Sequence, residues 1–102
     1  MQEDKISEVG IDEEEQLFVK PETQKFPFIY RESMQVSWDS KNRCLYSPRP
    51  IDWSYVDWFK QIIKASKAQG FTLRISEETV WNNIPDNLRT RMLNEAENNV
   101  CE

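Results

Sequence analysis

Chemistry in this chain has to come from carboxylates, thiols and large aromatic rings, because none of its 102 residues is a histidine. That absence removes the commonest general base and every Ser–His or Cys–His pairing. Gly10 and Gly70 are the only glycines, so a glycine-rich phosphate loop cannot be built. Two carboxylate pairs remain. Glu77 and Glu78 are adjacent, so in an extended segment they point to opposite faces and do not act together. Asp52 and Asp57 stand at the start of a helical pattern, where capping and the positive end of the helix dipole explain them. Cys44 and Cys101 do not make a zinc site without histidine partners. Cys44 lies in a strand-like run and reads as a small buried residue, and Cys101 reads as a free thiol near the chain end. No catalytic residue, metal or cofactor is expected, and the protein reads as a non-enzyme.

The rings carry more information. Aromatic residues make up 12% of the chain, including Trp38, Trp53, Trp58 and Trp81, and a chain so rich in them folds. Trp53 precedes Trp58 by five positions, which sends the two rings to different sides of a helix. One of them should therefore reach the surface. Trp53 with Arg49, Tyr46 and Trp38 has the composition of an interface hot spot; the plainer reading is that Pro48 and Pro50 fold back over Trp53. Phe26, Phe28, Tyr30 and Trp81 are candidates for an aromatic pocket holding a small apolar or cationic ligand, although a filled core would use the same residues. Aromatic and basic side chains also interleave from Trp38 to Trp58, as in single-strand nucleic-acid binders.

Charge argues against that last class. Residues 1–15 carry seven acids against Lys5, a balance of −6, while the remainder carries twelve bases and eleven acids, a balance of +1. The folded part has no strongly basic surface, so nucleic acid and anionic membranes are disfavoured as partners. Nor does any apolar run approach a membrane span, and the first residues are acidic where a signal peptide is basic. A cytoplasmic protein is expected.

The elements that must position these groups follow from periodicity. Residues 1–15 read as an acidic flexible leader, although Val9 and Ile11 leave room for an arm that pairs with another subunit. Gln16–Lys20 is β-prone and closed by Pro21, as an edge strand would be. Pro27 fits the first turn of a short helix with Phe28, Ile29 and Met34 turned inward; an irregular aromatic loop fits as well. Met34, Val36 and Trp38 alternate with polar residues, Asp39–Asn42 supplies a turn, and Arg43–Ser47 returns as a hairpin partner. Tyr55, Trp58, Phe59, Ile62, Ile63 and Ser66 share one helical face, predicting a helix from about Trp53 to Lys67 with Asp52 as its cap and Gly70 as its stop. Phe71, Leu73 and Ile75 alternate as a strand, and Thr79–Asn82 extends the sheet. A second helix carries Leu88, Met92 and Ala96 on one face with Leu93 beside it, fraying past about Glu97. The expected fold is a single α+β domain over 16–97, with a frayed tail at 98–102. Its small, mainly antiparallel sheet of three to five strands packs against a central amphipathic helix, with a second helix at the C-terminus.

The run Phe26–Pro27–Phe28–Ile29–Tyr30–Arg31, then Met34–Asp39, Leu45–Pro50, Trp53–Tyr55 and Trp58–Phe59, resembles small uncharacterised bacterial proteins carried on integron gene cassettes. The similarity covers about residues 16–93. It implies a compact, often self-associating α+β protein of mobile-gene origin with no assigned catalytic residues. Residues and resemblance together predict a cytoplasmic accessory protein, a homo-oligomer with a dimer favoured, that presents an aromatic surface to an unidentified protein partner.

Overall fold

The computed structural model describes residues 2–32, 35–47 and 54–100. Its central strand is made by residues expected to be a solvated leader: β1 (Gln2–Ile11) is ten residues long and is paired on both edges. The signal was hidden by a bulge. Ile6 pairs with Pro21 but Glu8 pairs with Lys20, so one residue of β1 is unmatched and the inward face changes parity there. Asp4 and Ile6 face the core before the bulge, and Val9 and Ile11 face it afterwards. Such a strand breaks strict alternation while still burying Ile6 and Val9 completely.

β2 (Leu17–Pro21) runs antiparallel to β1, with Leu17 and Val19 inward. A one-turn 3-10 helix at Ile29–Arg31 buries Ile29 but leaves Phe28 and Tyr30 half-exposed. The expectation that Phe28 turns inward is therefore corrected, and Met34 lies outside the described residues. β3 (Ser37–Asp39) and β4 (Cys44–Tyr46) form the expected hairpin. β5 (Phe71–Arg74) runs parallel to the first half of β1 and β6 (Val80–Asn82) parallel to the second half. The path is β3-β4-β2-β1-β5, with β6 also on β1. The fold is α+β as expected, but the sheet has six strands rather than three to five and two of its ladders are parallel.

Where β5 hands over to β6, Thr79 fills the gap. Its buried hydroxyl donates to the Ile6 carbonyl at 2.6 Å and accepts from the Ser76 amide at 3.0 Å. Both backbone groups sit beside the bulge, where the regular ladder does not serve them.

The central helix, α1 (Tyr55–Ala68), buries Val56, Trp58, Phe59, Ile62, Ile63, Ala65 and Ser66 against β2, β5 and the C-terminal helix α2 (Asp86–Val100). Its cap is Ser54, in a reciprocal box with Asp57, not Asp52, which lies outside the described residues. A hydroxyl followed three residues later by a carboxylate satisfies two free amides at once. Gly70 at φ 100° stops the helix. α2 buries Met92 and continues through Val100, past the expected fraying point.

Candidate functional site

Side-chain parity divides the sheet into two unlike faces. Leu17, Val19, Leu45, Ile6 and Val9 point to the helices. The opposite face is read from the register as two rows across the strands. One row is Asn82, Gly10, Phe18, Tyr46 and Ser37; the next is Val80, Glu8, Lys20, Cys44 and Asp39. Among the described residues no helix covers this face. Val80 is 56% exposed on it.

An open groove of about 440 Å³ lies across these rows, lined by Glu8, Phe18, Lys20, Asp39, Cys44 and Tyr46, with Asp12, Gln16 and Asn42 at its rim. That volume is within the range of small-molecule sites. Gly10 shapes one wall. A Cβ there would lie 2.4 Å from the Phe18 ring, so the ring lies over β1 where a larger residue would hold it off. Since Gly10 and Tyr46 flank Phe18 from opposite sides, this lean draws Phe18 away from Tyr46 and opens the groove between the two rings.

The rim is held by two hairpin turns of similar design. Asp12 accepts from the amides of Glu14 and Gln16 through Oδ1, both at 2.9 Å. Asp39 accepts from the amides of Lys41 and Asn42 and, through Oδ2, from Asn42 Nδ2 at 2.7 Å. Each turn then closes on a residue with positive φ, Glu15 at 65° and Arg43 at 57°. The Asn42 side chain and amide hold the Asp39 carboxyl below its usual 3.8. Among the described residues Glu8 accepts from Asn82 Nδ2 alone, at 3.2 Å through Oε2. Among the described residues Lys20 has no ion-pair partner within 4 Å.

Its surroundings disfavour the reactive form of the thiol on the groove floor. Burial, then the Asp39 carboxylate, push Cys44 up to about 11, and the Lys20 ammonium only partly opposes them. At neutral pH it is protonated, and the thiolate is the reactive form. No group of three or more Cys, Asp or Glu side chains among the described residues is arranged to hold a metal ion.

Of the residues expected at an interface, Tyr46 lines the groove. Trp38 instead packs against the core and meets the Phe26 ring edge-on at 6.1 Å. Its register partner Leu45 faces the helices, so Trp38 does too. Trp53 and Arg49 lie outside the described residues. The expected aromatic pocket does not assemble. Phe26 is buried between Trp38 and Phe71, and Phe28 and Tyr30 stand outside it, 6.4 Å apart. Trp81 is paired with Val9 whereas Phe71, which the Phe26 ring meets, is paired with Gln2, and this places Trp81 and Phe71 roughly 20 Å apart along β1. Trp81 sits under the Arg89 guanidinium instead, 5.4 Å from its ring centre. The groove itself was missed. The signal was Phe18, an aromatic on the polar phase of a strand whose other phase is Leu17 and Val19.

These features define a class: a small α+β protein with a mixed sheet, helices on one face and a groove on the other. Residues 4–79 match the family described as Integron Cassette Protein Hfx_Cass5, and the chain belongs to that family. The match begins inside β1, so the first strand is part of the family's pattern. A solved structure, "Structure from the mobile metagenome of North West Arm Sewage Outfall: Integron Cassette Protein Hfx_Cass5", is 38% identical. It covers 95% of this chain and 98% of its own, with a TM-score of 0.48. No curated protein matches. No described helix is long and apolar enough to cross a membrane.

Proposed function

We propose that this protein works by binding rather than by catalysis, and that its binding surface is the uncovered face of the sheet. The observation that carries this reading is the groove between Phe18 and Tyr46: two aromatic walls with polar groups on the floor and rim, the general make-up of a ligand site. Non-covalent action is supported by the protonated state of Cys44 and by the use of Asp12 and Asp39 as turn caps. A free buried thiol suits a reducing compartment, so a cytoplasmic accessory role is part of the proposal. Screening a small-fragment library while following backbone amide shifts tests it. Hits should concentrate at Glu8, Phe18, Lys20 and Tyr46; a screen whose hits all fall elsewhere, or which yields none, removes the reading.

Self-association is the second reading, and a different place favours it. Phe28 and Tyr30 are 50% and 53% exposed, and the Arg31 guanidinium lies 4.8 Å from the Phe28 ring centre. Exposed aromatic and arginine side chains together are what interface hot spots are made of. Light scattering from low to high micromolar protein should show a dimer that Phe28→Ser with Tyr30→Ser dissociates. A monomer at every concentration ends this reading.

A further inference from the structure

We propose that the groove on the open sheet face takes a small organic ammonium ion with a flat apolar body, the body lying between Phe18 and Tyr46 and the ammonium meeting the Glu8 carboxylate. This rests on the reading that the open face is the binding surface, and adds the class of ligand. Three observations point to it. The first is size: about 440 Å³ falls within the range of sites that hold one small molecule. The second is charge. Glu8, Asp12 and Asp39 line the groove against Lys20 alone, so an anion meets three carboxylates and a cation meets one ammonium.

The third is unused bonding capacity. Asp12 accepts its two amides through Oδ1, and Glu8 accepts Asn82 through Oε2. Among the described residues Asp12 Oδ2 and Glu8 Oε1 therefore keep their acceptor sites for a ligand. An ammonium supplies N–H donors and no acceptor, and its charge is drawn to the faces of aromatic rings. A neutral apolar ligand would leave these oxygens unanswered as it displaced their water. The influence of Asp39, Asp12 and Glu8 on the Cys44 thiol places their negative potential on the groove floor as well as its rim.

The test uses three probes of one shape: phenethylammonium, 2-phenylethanol and 3-phenylpropionate, titrated separately into the full chain while amide shifts are followed. Phenethylammonium should move the amides of Glu8, Phe18, Lys20 and Tyr46 saturably and bind tightest of the three. Glu8→Gln should weaken it about three- to tenfold, and Lys20→Met should tighten it by a similar factor. Glu78→Gln, which removes the same charge outside the groove lining, should leave it unchanged. If the neutral or anionic probe moves the same amides with equal or higher affinity, the cation class is overturned and the open-face reading stands. If Glu78→Gln weakens binding as much as Glu8→Gln, net charge alone is responsible and the site is overturned. If none of the three probes moves groove amides, the proposal falls, and the wider fragment screen decides the reading beneath it. Lys20→Met keeps the test decisive should Glu8→Gln disturb the fold, since a loss of affinity there has the wrong sign for the proposal.

Discussion

Replacing Gly10 with alanine puts one methyl group where the structure has a ring. The new Cβ would stand 2.4 and 2.6 Å from two atoms of Phe18 and 3.0 Å from the Asn82 carbonyl oxygen. Ordinary contact begins near 3.4 Å, so the ring must retreat by at least 1.0 Å while the β6 backbone is asked to give as well. Overfilling a packed site costs about 1–3 kcal/mol. Alanine returns about 0.4–1 kcal/mol by restricting the unfolded chain, and Gly10 is not in the left-handed region, so no backbone strain is added. The net loss should be about 1–2 kcal/mol, or roughly 5–10 °C in melting temperature for a domain of this size. Urea unfolding of Gly10→Ala, Phe18→Ala and the double variant isolates the contact. In the Phe18→Ala background the added methyl should be close to neutral, leaving a coupling of about 1–2 kcal/mol. A ring pushed off Gly10 toward Tyr46 narrows the groove, so fragment binding on the open face should fall in parallel. An unchanged or raised midpoint for Gly10→Ala alone would refute the argument that this glycine makes room for Phe18.

Three further outcomes are expected. Thr79→Val keeps the shape but strips the bonds to Ile6 and Ser76, and should cost about 2–3 kcal/mol by urea unfolding, with Thr79→Ser retaining most of the stability. In a Cys101→Ser background, alkylation of Cys44 at pH 8 should be about a hundredfold slower than that of an ordinary thiol, because a shift from 9.0 to about 11 lowers its thiolate fraction by that factor; labelling at the rate of the unfolded chain would contradict it. The Ser54 amide and hydroxyl hold the Asp57 carboxyl below 3.8. Its contribution to stability is thus complete above that value and lost as pH falls through the lower folded-state value. Asp57→Asn should flatten the acid limb of a stability profile below about pH 4, and an unaltered limb would count against the capping box.

Much of the fold was legible because several elements declare themselves locally. α1 carries its apolar residues at helical spacing, and the β3–β4 hairpin alternates on both sides of an Asp–Ser–Lys–Asn turn. β1 was not legible, for two reasons that act together. Its bulge shifts the inward phase between Ile6 and Val9, and its outward positions include Glu3, Lys5 and Glu8, charged residues of the kind that also fill solvated tails. Its parallel partners lie about seventy residues further along, where no local pattern can announce the pairing. The site followed the same division. Tyr46 stands out in the sequence as an interface candidate because rings near arginines are conspicuous, but Phe18, Glu8 and Lys20 become neighbours only once β1 and β2 are in register. Trp38 and Phe26 were misplaced because a large ring looks the same in sequence whether it lies over a sheet or under one.

The placement of β1 also has a bearing on how this protein comes off the ribosome. Its innermost strand is synthesised well before two of the ladders it needs, which are supplied by residues 71–74 and 80–82. For most of translation the nascent chain holds β1 with one border satisfied by β2 and the other bare, an invitation to stray pairing. Closure waits for contacts of very long sequence separation, which slows folding. Pausing the ribosome upstream of β6 should therefore leave a species more prone to aggregate than the finished protein.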